Sequence, residues 1–106
     1  MVFVELPPFV GFREDHWSDE DLRGLQNFLL KTPDAGDVIR GSGGLRKLRW
    51  LAQGRGKRGG ARVIYYWNMP GNHIYLIYGY VKNRCADLTP SQIAVLAKLM
   101  EDLNHE

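Results

Sequence analysis

Residues 61 to 81 read ARVIYYWNMPGNHIYLIYGYV, and this stretch decides the fold. Ala61 to Asn68 is rich in β-branched and aromatic residues and alternates Val63, Tyr65 and Trp67 against Arg62, Ile64 and Tyr66, the two-residue period of a strand. Met69 to Asn72 holds the Pro-Gly pair of a tight turn, so His73 to Val81 is expected to return antiparallel. Upstream, LRKLRWL at 45 to 51 alternates in the same way, with Arg46, Leu48 and Trp50 opposite Lys47 and Arg49. The three segments predict an antiparallel meander with one unusually basic strand face.

The flanks supply the rest of a domain. Val2 to Leu6 reads as a first strand stopped by Pro7 and Pro8, which lack a backbone donor. Phe9 to Trp17 is ambiguous between a short helix and an aromatic loop. Ser18 and Asp21 form a capping pair, and Leu22, Leu25, Phe28 and Leu29 share one helical face that Pro33 ends. Residues 36 to 44 (GDVIRGSGG) read as a glycine-rich connector. Thr89, Pro90 and Gln92 open a closing helix that carries Ile93, Leu96, Met100 and Leu103 at helical spacing. The expectation is an α+β fold in one domain over residues 1 to 106, an antiparallel sheet covered on one side by helices.

Charge is distributed in blocks. Residues 1 to 37 carry eight acids against three bases; residues 38 to 86 carry ten Lys and Arg and no Asp or Glu; residues 87 to 106 carry four acids against Lys98. The three blocks, −5, +10 and −3, leave a net charge of +2. A basic surface without interspersed acids attracts polyanions, and phosphate backbones or an acidic protein are the expected partners. No apolar run approaches the roughly 20 residues that span a bilayer. The N-terminus MVFVELPPF lacks the parts of a secretion signal, and the single Cys85 allows no intrachain disulfide, so a reducing cytoplasm is expected.

Several familiar chemistries find no residues. GRGKRG at 54 to 59 matches a dinucleotide fingerprint in letters, but a strand follows it where that site needs a helix N-terminus. His16, His73, His105 and Cys85 are too scattered for a structural zinc site, so no metal and no cofactor are expected. Ser18, Ser42 and Ser91 sit in capping or glycine contexts, and carboxylates occur only in the acidic flanks. What remains is Arg and Lys beside Tyr and Trp on adjacent strands. Such a set can bind RNA and stabilise the charge that develops on a phosphate attacked by a neighbouring 2′-hydroxyl, with a crowded lysine as general base.

The segment GDVIRGSGGLRKLRWLAQGRGKRGGARVIYYW resembles the RelE/ParE superfamily of type II toxins, and within it the HigB-type branch of RelE-like mRNA interferases; YGYVKNRCADL at 78 to 88 resembles the family's next landmark. The resemblance covers about 52 residues and implies a RelE-like fold: an N-terminal strand and three-stranded meander packed by N-terminal helices and a C-terminal helix. It implies a metal-independent, ribosome-dependent endoribonuclease that cleaves mRNA during translation. It further implies an antitoxin partner, HigA-like with a helix-turn-helix domain, through which alone operator DNA would be met. Carried over residue by residue, Arg62, Lys82, Lys47 and Arg49 are the catalytic candidates. Lys57, Arg58, Arg55, Arg46, Asn83 and Tyr66 are the RNA-binding ones. RelE-like enzymes carry a tyrosine after the last strand where this chain reads CADL, which leaves Tyr66, Tyr78, Tyr80 or lysine alone as alternatives. A ParE-like gyrase poison and a non-catalytic RNA- or ribosome-binding module are the rival readings.

Overall fold

The computed structural model describes residues 1–50, 60–68, 72–81 and 88–104. In chain order these form β1 (Val2–Glu5), α1 (Pro7–His16), α2 (Asp19–Lys31), β2 (Asp37–Val38), β3 (Arg46–Trp50), β4 (Ala61–Asn68), β5 (His73–Val81) and α3 (Pro90–Asn104). The strands make one five-stranded sheet in the order β1-β5-β4-β3-β2. The α+β architecture and the antiparallel β3-β4-β5 meander are as the sequence predicts.

Three features differ from expectation, each for a physical reason. First, β1 pairs with β5 in parallel, so the sheet is mixed. Side-chain alternation is the same in both strand directions, and β1 runs straight into α1 with no hairpin to fix its sense. Second, residues 36 to 44 are not only a connector: Asp37 and Val38 pair with Lys47 and Arg46, making β2–β3 a hairpin. Its loop is closed by Ile39 N–H donating to Leu45 O (2.8 Å) and by the buried Ser42 hydroxyl, which accepts from Leu45 N–H (3.0 Å). Gly41, Gly43 and Gly44 supply its positive φ angles. Third, helices cover both faces of the sheet.

The two faces follow from the alternation. Leu48, Val63, Tyr65, Ile74 and Leu76 pack with Phe9 of α1 and with Leu25 and Leu29 of α2. Leu45, Ile64, Ile77 and Tyr80 point the other way and pack with Met100 of α3. A sheet apolar on both faces must be covered on both.

The helices start where their first residues dictate. Pro7 and Pro8 open α1, where a missing N–H costs nothing, so the segment from Phe9 onward is helical. Ser18 and Asp21 cap α2 reciprocally, at 3.1 and 3.0 Å. Thr89 and Gln92 do the same for α3. Exchanging such a cap for alanine costs about 1 kcal/mol. The Arg13 side chain on α1 donates to the Glu5 carboxylate at the end of β1 (2.7 Å), which holds the guanidinium in its charged form.

Candidate active site

The α3-covered face of the sheet also carries the basic residues. On β3, Lys47 and Arg49 point to this face, opposite Leu48 and Trp50. On β4, Arg62 is the residue paired with Arg49. On β5, Tyr80 is paired with Arg62. One row, Arg49–Arg62–Tyr80, therefore crosses three strands, its Cα atoms about 4.5–5.5 Å from one strand to the next. Lys47 lies in the next row, paired with Ile64. Exposure falls along the first row: Arg49 is exposed, Arg62 half-buried and Tyr80 buried at 4%.

Two arginines directly opposite one another repel, at a cost of about 0.2–1 kcal/mol, and a sheet with no use for them would separate them. Placed side by side, they present two planar guanidinium forks on one surface. That geometry matches the oxygens of a phosphate. Lys47 and Tyr80, with Ile39, Ile64, Leu88 and Ile93, line a small cavity of about 40 Å³ beneath the start of α3. Both the amine-bearing stem and the ring are thus packed among fixed apolar groups.

A β-bulge sets this arrangement. Between Ile64 and Tyr65 the β4–β5 register shifts by one: Tyr65 pairs with Leu76, but Ile64 pairs with Tyr78 and Arg62 with Tyr80. Ile77 and Tyr78 consequently share the α3 face, and Gly79 turns to the other, where an added Cβ would come within 2.4 Å of the Phe12 ring. The bulge could not be read from the sequence, where only the adjacent Ile77 and Tyr78 interrupt the alternation.

The other candidates fall elsewhere. Arg46 is on the α1/α2 face, where its Nη1 donates to Gly36 O (2.7 Å) and Asp34 O (3.2 Å). Tyr66 is on the α3 face but four residues along β4 from Arg62, about 13 Å by strand geometry. It stands beside Gly44 and lines a groove of about 470 Å³ with Leu45, Ala97, Lys98 and Glu101. Lys57, Arg58, Arg55, Lys82 and Asn83 lie outside the described residues. Their segments, 51–59 and 82–87, follow Trp50 and Val81, both of which pair with Ala61 at the same end of the sheet as Arg62. Among the described residues no group of three or more His, Cys, Asp or Glu converges, and no helix is long and apolar enough to cross a membrane.

Comparison with known proteins agrees with the fold. The family model for the RelE toxin of the RelE/RelB toxin-antitoxin system matches residues 34–105. Among solved structures, a double-arginine mutant of the E. coli toxin RelE in the free state superposes with a TM-score of 0.62 at 14% identity, covering 93% of this chain and 95% of that one. The family match takes in the whole β2–β5 sheet region and α3, including Lys47, Arg49, Arg62 and Tyr80, and the chain belongs to the RelE toxin family.

Proposed function

We infer that this toxin is a ribosome-dependent, metal-independent endoribonuclease that cuts messenger RNA during translation. The observation that carries the reading is the Arg49–Arg62 pair, two guanidinium groups on one sheet face within a 49-residue stretch free of carboxylates. In the reaction, a 2′-hydroxyl attacks the adjacent phosphorus. An O2′–P bond forms, the P–O5′ bond breaks, one proton leaves the 2′-oxygen and one reaches the 5′-oxygen. Arg62, flanked by Arg49, neutralises the charge that builds on the non-bridging oxygens. Lys47 and Lys82, the two lysines among the catalytic candidates, are the residues assigned to move the protons. Lys57, Arg58 and Arg55, with Asn83 and Tyr66, extend the contact to RNA on the ribosome.

Such an enzyme works in the cytoplasm, on ribosomes. Its partner is an antitoxin, HigA-like if the GKRGG segment marks the HigB-type branch, which covers the basic row and brings the toxin to operator DNA. Charge complementarity would speed that association. The test is inducible expression of wild type and Arg62→Ala in bacteria, with primer extension across an abundant message and across the same message with a blocked start codon. Cuts in the translated message alone, lost in the variant, are expected. Growth arrest without cuts would overturn the reading in favour of a gyrase poison or a ribosome binder.

A further inference from the structure

We propose that Tyr80 is the positioning residue of the active site, with its buried ring setting where Arg62 and Lys47 present their charges. The proposal rests on the nuclease reading and adds a residue to it. Of the four described tyrosines on the α3 face, Tyr75 lies beside Tyr66, its partner across the strands, and the structure separates the other three. Tyr66 is a full four residues from Arg62 along β4. Tyr78 pairs with Ile64 and lines a different groove, with Leu88, Gln92, Val95 and Leu96. Tyr80 alone of the three pairs with Arg62 and also shares a cavity with Lys47.

The bulge strengthens the assignment. With the register that holds from Tyr65 to Asn68, Arg62 would face Gly79, and Tyr80 would point at α1. The one-residue shift exchanges them, placing the ring on the Arg62 row and the glycine under Phe12. Bulges interrupt pairing and are found beside active sites, where they re-aim a side chain. Here the side chain re-aimed is Tyr80.

A ring buried to 4% among Leu45, Ile64, Ile77 and Met100 has little freedom to move. It gives the guanidinium of Arg62 and the amine of Lys47 a fixed wall on one side. The role proposed is the ring's, and Tyr80→Phe keeps that ring.

The experiment is single-turnover cleavage of a message on programmed ribosomes by purified wild type, Tyr80→Phe, Tyr80→Leu and Tyr80→Met, at rising toxin concentration. Tyr80→Phe is expected to keep the maximal rate within about threefold. The Leu and Met variants should lose on the order of 100-fold, the scale of a 1 Å misplacement, at unchanged half-saturating concentration. A second readout uses a sulfur in place of either non-bridging oxygen of the scissile phosphate. The preference between the two diastereomers should persist in Tyr80→Phe and collapse in Tyr80→Leu and Tyr80→Met, as in Arg62→Ala; loss of folded protein alone would lower the rate and leave the preference intact. Leu or Met variants that cut at the wild-type rate or keep the diastereomer preference overturn the proposal, as does a Phe variant as slow as Leu. Wild type that cuts nothing overturns the nuclease reading itself.

Discussion

Arg49 on β3 and Arg62 on β4 are direct cross-strand partners on one face of the sheet. Like charges so placed destabilise a sheet by about 0.2–1 kcal/mol, whereas opposite charges stabilise it by a similar amount. Arg49→Glu should therefore raise stability and abolish activity together. The expected change is a rise of a few degrees in Tm at low ionic strength, shrinking at 1 M salt where the Debye length is about 3 Å. Cleavage should fall by about 100-fold or more, the loss expected when a group facing a developing oxyanion is removed. A fall in Tm would show that the pair is not under repulsion.

Gly79 faces α1 because of the bulge, and its Cα has no room for a methyl group: the built Cβ lies 2.4 Å from Phe12 Cδ2 and 2.8 Å from Cγ. Phe12 is itself fixed by ring contacts to Phe9, His16 and Trp17. Gly79→Ala should cost about 1–3 kcal/mol by overpacking. Phe12→Leu, which shortens the obstacle, should recover part of that loss in the double variant, so the two changes are expected to be non-additive in urea melts.

Arg46 and Arg49 are three residues apart on one strand and thus on opposite faces. Arg46 is occupied by the carbonyls of Asp34 and Gly36, so Arg46→Ala should lower Tm and leave the salt dependence of ribosome binding unchanged. Arg49→Ala should do the reverse, reducing the magnitude of the slope of log affinity against log salt by about one ion.

These cases show what was legible in the sequence. The alternation within 46 to 50 and within 61 to 68 separates the two faces correctly, which is enough to group Lys47, Arg49 and Arg62. Caps at Ser18 and Thr89 are local hydrogen-bond patterns, and they are where the letters place them. Strand direction, the bulge and the partner of Tyr80 depend on contacts between residues distant in sequence, and a two-residue period carries no record of them. Arg46 was indistinguishable from its basic neighbours by type, since only the turn at 34 to 36 determines its use. Burial on both faces was written in Ile64 and Ile77, but an alternation of apolar with apolar resembles one of apolar with amphipathic.

Tyr65 ties that turn to the core. Its hydroxyl donates to Pro33 O (2.9 Å) and accepts from Gly36 N–H (2.9 Å), while its ring is fully buried. A Cβ on Gly36 would lie 2.9 Å from Lys47 O and 3.0 Å from the Tyr65 ring, so the close approach needs glycine. Tyr65→Phe leaves the Gly36 N–H without its acceptor and should cost about 1–3 kcal/mol at neutral pH. Burial raises the phenol above its ordinary value of 10.0, against the Gly36 bond and Arg46, which lower it. The folded state therefore holds this proton more tightly than the unfolded chain. The stability it contributes is complete below pH 10.0 and is lost as the pH rises from there through the folded value. The gap between wild type and Tyr65→Phe in denaturant midpoint should accordingly be constant from pH 7 to 9 and narrow in stronger alkali. A gap that widened above pH 10 would mean that the ionised phenolate, and not the neutral hydroxyl, holds the turn.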